Sequence, residues 1–381
     1  MNILKKILLT LIIIIFSFIL FSLLQKRQTI LKTIQLKEGL TNVKSPDYNS
    51  ILSNVESVVM DPVTFPSGIS SNINSTTNRL PLKQLCIKGS CNSAYTGKYI
   101  SEIMVNYVLS RGCRFLDFEI YYLPDSNGNY TTCVGYSNDP NAINPTISNA
   151  ENVPFIDIFE STINKAFIKS SSNTYEIINT NDPLFINIRL KTSKEDIPTL
   201  FQSIQRIINS VSKKPMYSRY FTETKINGDT ILSSINGKVI IIFEKNEFID
   251  ISSKNDKYNM ISNSEDLTKS TYGKIDPIKF IACPPKIVSD SKVVFNCDHT
   301  FNMVVPENYK SSQDNPEIFP SIKEYGNNIT LFQYYKSDNY LKEYEYMFQN
   351  SNSAFIPLSY CLSYINNREK PSNSVFPNLI G

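Results

Sequence analysis

Asp117 and Glu119 are the residues whose types and spacing could do chemistry. They stand two apart in Gly112-Cys113-Arg114-Phe115-Leu116-Asp117-Phe118-Glu119-Ile120-Tyr121. The alternation predicts a strand with both carboxylates on one face and Leu116, Phe118 and Ile120 on the other. Two carboxylates on one strand face are costly to bury unless something uses or pairs them. A half-exposed strand with a wet face is the plain alternative. Upstream, 84–88 reads as a strand that runs into a small polar loop, Gly89-Ser90-Cys91-Asn92-Ser93. A helix is predicted over 98–110 from Ile100, Ile103, Met104, Tyr107 and Val108, with Gly112 as its stop. The core stretch is therefore strand, polar loop, helix, strand.

Other reactive side chains are few. Cys91 could act as a thiol nucleophile, but no histidine stands near it in sequence to activate it. The chain has one histidine, His299, in Asn296-Cys297-Asp298-His299-Thr300, which reads as a loop or surface residue. Seven cysteines without a CxxC pair argue against zinc, and their odd number and scattered spacing suit a reduced compartment. A net charge of +3 gives no case for nucleic acid. The 41% hydrophobic content, with 22 Tyr and 22 Phe, is enough to fill a sizeable core.

Taken in order, the chain opens with a short tail, 1–6. An apolar run follows over 7–24, long enough to span a bilayer and flanked by Lys5, Lys6, Lys26 and Arg27. The expectation is a single-pass N-terminal membrane anchor of unassigned orientation. Residues 25–79 are polar and read as a stalk. Residues 80–381 read as one domain, in which 130–134, 184–190 and 239–243 are strands and 153–169 and 194–210 are helices, the last capped by Ser193. Single strands alternating with helices suggest parallel strands joined by crossovers. Beyond 247 the pattern weakens. A polar insertion is expected over 250–274, candidate strands at 278–283, 292–296, 329–335 and 354–358, and a helix at 338–348.

The organising stretch resembles the opening of the X region of phosphatidylinositol-specific phospholipases C. That family carries S-H-N-T after its first strand and G-C-R-x-x-E-x-D on its second. Here the residues are Ser90-Cys91-Asn92-Ser93 and Gly112-Cys113-Arg114-Phe115-Leu116-Asp117-Phe118-Glu119. Three further landmarks follow in order. They are Cys133-Val134-Gly135-Tyr136-Ser137, Asp182-Pro183-Leu184-Phe185-Ile186-Asn187-Ile188-Arg189-Leu190, and Ile235-Asn236-Gly237-Lys238-Val239-Ile240-Ile241. The likeness covers about 80–247.

The resemblance implies an α/β fold of the TIM-type (β/α) barrel class, and 248–381 is assigned to the same barrel by continuity. It also implies cleavage of inositol phospholipids by two histidines and a calcium ion. The histidine positions fall on Cys91 and Val134. Asn92 keeps a calcium-ligand position, and Asp117 and Glu119 keep two carboxylates in exchanged order. The remaining acidic ligand has become Arg189, and Lys191 and Lys245 are the candidate phosphate-binding cations. The expectation is a barrel without the family's phosphodiesterase activity, with Arg189 pairing Asp117 and Glu119 in place of calcium. It would bind a phosphoinositide headgroup or a protein partner, or be structural. The competing expectation is a phosphodiesterase with altered groups, in which calcium binding by Asn92, Asp117 and Glu119 survives.

Overall fold

The computed structural model describes residues 73–369 except 125–127, 140, 146–152, 169–176, 224, 244–266, 273–284, 290–291, 296–300 and 307–313. Among the described residues there are twelve strands: β1 Leu85–Ser90, β2 Phe115–Pro124, β3 Tyr130–Gly135, β4 Val153–Pro154, β5 Leu184–Lys191, β6 Val239–Phe243, β7 Leu267–Tyr272, β8 Pro285–Ser289, β9 Lys292–Phe295, β10 Phe301–Pro306, β11 Ile329–Phe332 and β12 Phe355–Pro357. The α-helices are α1 Glu102–Ser110, α2 Phe155–Phe167, α3 Ile197–Ser212, α4 Ile318–Lys323, α5 Asn339–Ser351 and α6 Leu358–Glu369.

Parallel ladders join the strands in the order β7-β10-β11-β1-β2-β5-β6. Several strands of this run are buried on both faces, as Val239-Ile240-Ile241-Ile242-Phe243 of β6 illustrates, because helices and loops cover both sides of a parallel sheet. The β1–β2 crossover shows how local chemistry sets the chain's path. The Ser101 hydroxyl accepts from Ile103 N at 3.1 Å and caps α1. At the other end Gly112, with φ of +87°, takes the left-handed conformation that turns the chain into β2. The turn at Thr96 to Tyr99, closed by Thr96 N to Tyr99 O at 3.0 Å, holds residues 98–101 out of the helix, so α1 starts later than the predicted 98. Ser193 likewise leads a single 3₁₀ turn, Lys194–Asp196, before α3 begins.

Two expectations are corrected. The first is the closed TIM-type barrel. The chain is mixed α/β with a 10-stranded central sheet, and no ladder joins β6 to β7 among the described residues. Three of its strands run antiparallel to their neighbours: β3 on β2, β4 on β3 and β12 on β1. The five residues between β2 and β3 are too few for a crossover, so that pair can only form a hairpin.

The second correction is the membrane anchor. No described helix is long and apolar enough to cross a membrane. The longest, α3, has 16 residues, or roughly 24 Å against a hydrocarbon core of roughly 30 Å. The run 7–24 that carried the expectation lies outside the described residues. A single-pass N-terminal location is therefore not supported.

Candidate functional site

The site lies past the C-terminal end of β1, in the first half of β2 and near the C-terminal end of β5. In the β2–β5 ladder Asp117 pairs with Asn187 and Glu119 with Arg189. Period-two geometry puts these four side chains, and Tyr121, on one face. Asn92 follows β1 in the left-handed conformation, φ +46°, which asparagine tolerates better than most residues. Ser93 locks that loop onto β2: its N donates to Asp117 O at 2.8 Å and its hydroxyl accepts from Asp117 N at 3.0 Å.

Arg189 fills the centre. Its Nε donates to Asp117 Oδ1 at 2.9 Å and its Nη2 to Asp117 Oδ2 at 2.6 Å, a bidentate fork. Nη1 donates to Glu119 Oε1 at 2.7 Å and Nη2 also reaches Asn92 Oδ1 at 2.8 Å. Asp117 and Glu119 are fully buried and Arg189 is 1% exposed, so β2 has no wet face here. Lys191, at the edge, stands 3.8 Å from Glu119 Oε1. Two carboxylates thus meet two cations.

The carboxylates have further donors. Asn187 Nδ2 reaches Asp117 Oδ1 at 2.8 Å and Asn92 N reaches Asp117 Oδ2 at 3.1 Å. The Tyr121 hydroxyl reaches Glu119 Oε2 at 2.8 Å, and Ser137 N reaches it at 3.2 Å. Burial alone would raise the Asp117 carboxyl. The Arg189 guanidinium, with the hydrogen bonds from Arg189, Asn92 and Asn187, outweighs burial and holds it below its ordinary value. Cys91 points its thiol at Asp117 Oδ2, 3.6 Å away. Burial, then the Asp117 charge, pushes that thiol far above its ordinary value, so it stays protonated. Val134 is buried and pairs with Ile120 across the β2–β3 hairpin.

The mouth is closed by aromatic rings. Tyr95 and Tyr136 stack at 3.7 Å between centroids, and Tyr335 meets Tyr95 edge-on at 4.8 Å. The space that Tyr95 shares with Asn92, Glu119 and Val134 has no room for the centre of a water molecule, about 0 Å³. Tyr121 packs against Gly135, where a Cβ would come 2.6 Å from the Tyr121 ring.

The structure therefore brings Cys91, Asn92, Asp117, Glu119, Val134, Arg189 and Lys191 together. Lys245 and His299 lie outside the described residues. Sequence reasoning missed Asn187 and Tyr121, although both sit at period-two positions from residues it had named. It also missed Ser137 N and the Tyr95–Tyr136–Tyr335 cluster, for which only the folded chain gives a signal. No group of three or more His, Cys, Asp or Glu side chains arranged for a metal occurs among the described residues.

No protein-family model and no curated protein matches the sequence. Among solved structures the chain is similar to PLC21 of L. pealei, at 12% identity and a TM-score of 0.46, over 78% of this chain and 39% of that one. It is similar to PLC21 of S. officinalis at 14% identity and a TM-score of 0.47, over 78% and 38%. A third is a calcium-dependent phosphoinositol-specific phospholipase C from a Gram-negative bacterium, Pseudomonas sp., at 10% identity and a TM-score of 0.42, over 76% and 99%. The chain spans about two-fifths of the length of the first two. These neighbours are of the family that the motifs between Ser90 and Ile241 resemble. At such identities no residue role is carried over from them.

Proposed function

We propose that this chain is a phospholipase-C-like protein that lacks the family's phosphodiesterase chemistry and works as a binding or structural module. One observation carries the reading: the Arg189 guanidinium occupies the space between Asn92 Oδ1, Asp117 and Glu119, within 2.9 Å of all three side chains. By the resemblance, those oxygens are the ones that would hold calcium. Calcium takes six to eight oxygen ligands. Here their lone pairs already accept from a fixed cation, so a divalent ion does not fit while Arg189 stays in place.

Proton transfer is equally ill served. General acid–base catalysis needs a group that titrates near the working pH. Cys91 is held protonated by burial, and Val134 carries no proton to move. The closed mouth and the Lys191–Glu119 contact favour contacts made elsewhere on the surface over a phosphoinositide headgroup at these strand ends.

The test is release of inositol phosphates from phosphatidylinositol and its phosphorylated forms by the full-length chain, with calcium and with chelator. No turnover in either condition is expected. Calcium-dependent turnover that disappears in Asn92→Ala would overturn the reading.

A further inference from the structure

Away from the strand ends, α5 and α6 each turn one polar stripe outward. On α5 it comprises Tyr346, Gln349 and Asn350; on α6 it includes Tyr360, Tyr364 and Asn367. The spacings, i, i+3, i+4 and i, i+4, i+7, are those of a single helix face. The opposite faces bury Phe348 and Ile365 in the core. Exposed helix stripes ordinarily carry charged and polar groups together. These carry phenols and carboxamides, and they line a groove of about 970 Å³, within the size range of small-ligand sites.

The groove is built rather than incidental. Asn350 Nδ2 donates to the Tyr360 hydroxyl at 3.0 Å, which ties α5 to α6 and orients the phenol. The one charged side chain among the described lining residues, Arg368, lies 5.7 Å from the Tyr364 ring centroid and 3.9 Å from Glu343, so its charge is balanced locally. Among the described residues lining the groove there is no aliphatic side chain and no carboxylate.

We infer that this groove binds a neutral oligosaccharide. Sugar hydroxyls both donate and accept, and so do the carboxamides of Gln349, Asn350 and Asn367. Tyr346 and Tyr360 are 39% and 38% exposed, and each offers a flat apolar face with a polar tip to the C–H face of a sugar ring. An amphipathic peptide or an acyl chain needs apolar wells, and a phosphate group needs more than one locally balanced cation. The described lining supplies tyrosine faces but no aliphatic well, and a single arginine beside Glu343. The inference stands apart from the catalytic reading, because the groove shares no residue with the Arg189 site.

The test is a panel of neutral trisaccharides based on glucose, mannose, galactose and N-acetylglucosamine, probed with the full-length chain and followed by calorimetry on the best binder. At least one is expected to bind. Tyr360→Ala and Asn350→Ala should each weaken it tenfold or more, while Tyr130→Ala, exposed on β3, should leave it unchanged. Should Tyr360→Ala fail to fold, Tyr346→Ala carries the same expectation. Retention of no trisaccharide, or a binder indifferent to all three groove substitutions, would overturn the inference.

Discussion

Replacing Arg189 by methionine removes the guanidinium and keeps most of its volume. In the wild type, four charge-assisted hydrogen bonds offset the desolvation of one cation and two carboxylates. Each such bond contributes about 1.5–3 kcal/mol, and each buried ion costs several kcal/mol, so the intact cluster is close to balance. The variant keeps the cost and loses the compensation. Asp117 and Glu119 stay buried, with Asn187, Tyr121, the Cys91 thiol at 3.6 Å and Lys191 at 3.8 Å as side-chain partners that remain. Truncating one partner of a buried ion pair costs about 3–5 kcal/mol, and that loss is expected here in urea unfolding followed by far-UV circular dichroism.

The pH dependence supplies the sign. In the wild type, Asp117 titrates below its ordinary value, so its contribution is present above that value and lost as pH falls through the depressed one. In the variant burial acts unopposed by Arg189, and the folded carboxyl rises above its unfolded value. The folded variant then takes up a proton as pH falls, and the gap to the wild type narrows between pH 8 and pH 5. Asp117→Asn and Glu119→Gln added to Arg189→Met should recover at least half of the loss. A single-variant loss below about 1 kcal/mol, or a gap unchanged with pH, would refute the reasoning.

Three further outcomes follow from the same packing and electrostatics. Gly135→Ala drives a Cβ into the Tyr121 ring and should cost about 1–3 kcal/mol in the same assay, whereas an unaffected midpoint would mean the ring moves freely. Lys88 and Glu345 form a second buried pair at 2.7 Å, so Lys88→Met should cost about 3–5 kcal/mol at pH 7. Burial opposes ionisation of Glu345, but Lys88 and Arg111 outweigh it and depress its value. The Glu345 share of the contribution should therefore fade as pH drops below the ordinary carboxylate range, while burial lowers Lys88, so the ionic attraction also weakens as pH rises toward the lysine's lowered value. Cys91 should resist iodoacetamide at pH 8 in the native chain and react in urea, read by mass spectrometry; alkylation of the native chain within minutes would contradict its burial and raised value.

The strands that carry the site were legible because their alternation is local. Asp117 and Glu119 on one face of β2, and the apolar run of β6, follow from period two and from continuous burial. What local pattern could not tell was whether the polar face met water or another strand. That depends on Glu119 pairing with Arg189 across 70 residues of chain. The parallel order was inferred from crossovers, but β12 reaches β1 antiparallel after a chain excursion that local pattern does not encode. β7, Leu-Thr-Lys-Ser-Thr-Tyr, reads as polar insertion because four of its residues carry hydroxyls and one is charged. The stripe Leu358, Cys361, Leu362 and Ile365 is helical in spacing, and reading 354–358 as a strand stops short of it.

The central claim is that Arg189 holds the place a divalent cation would take. Equilibrium dialysis of radioactive calcium against the full-length chain at pH 7 and millimolar calcium tests it most directly. The account predicts no bound calcium that depends on Asp117, so wild type and Asp117→Asn should give the same result. One calcium per chain in the wild type, lost in Asp117→Asn while that variant remains folded, would contradict it.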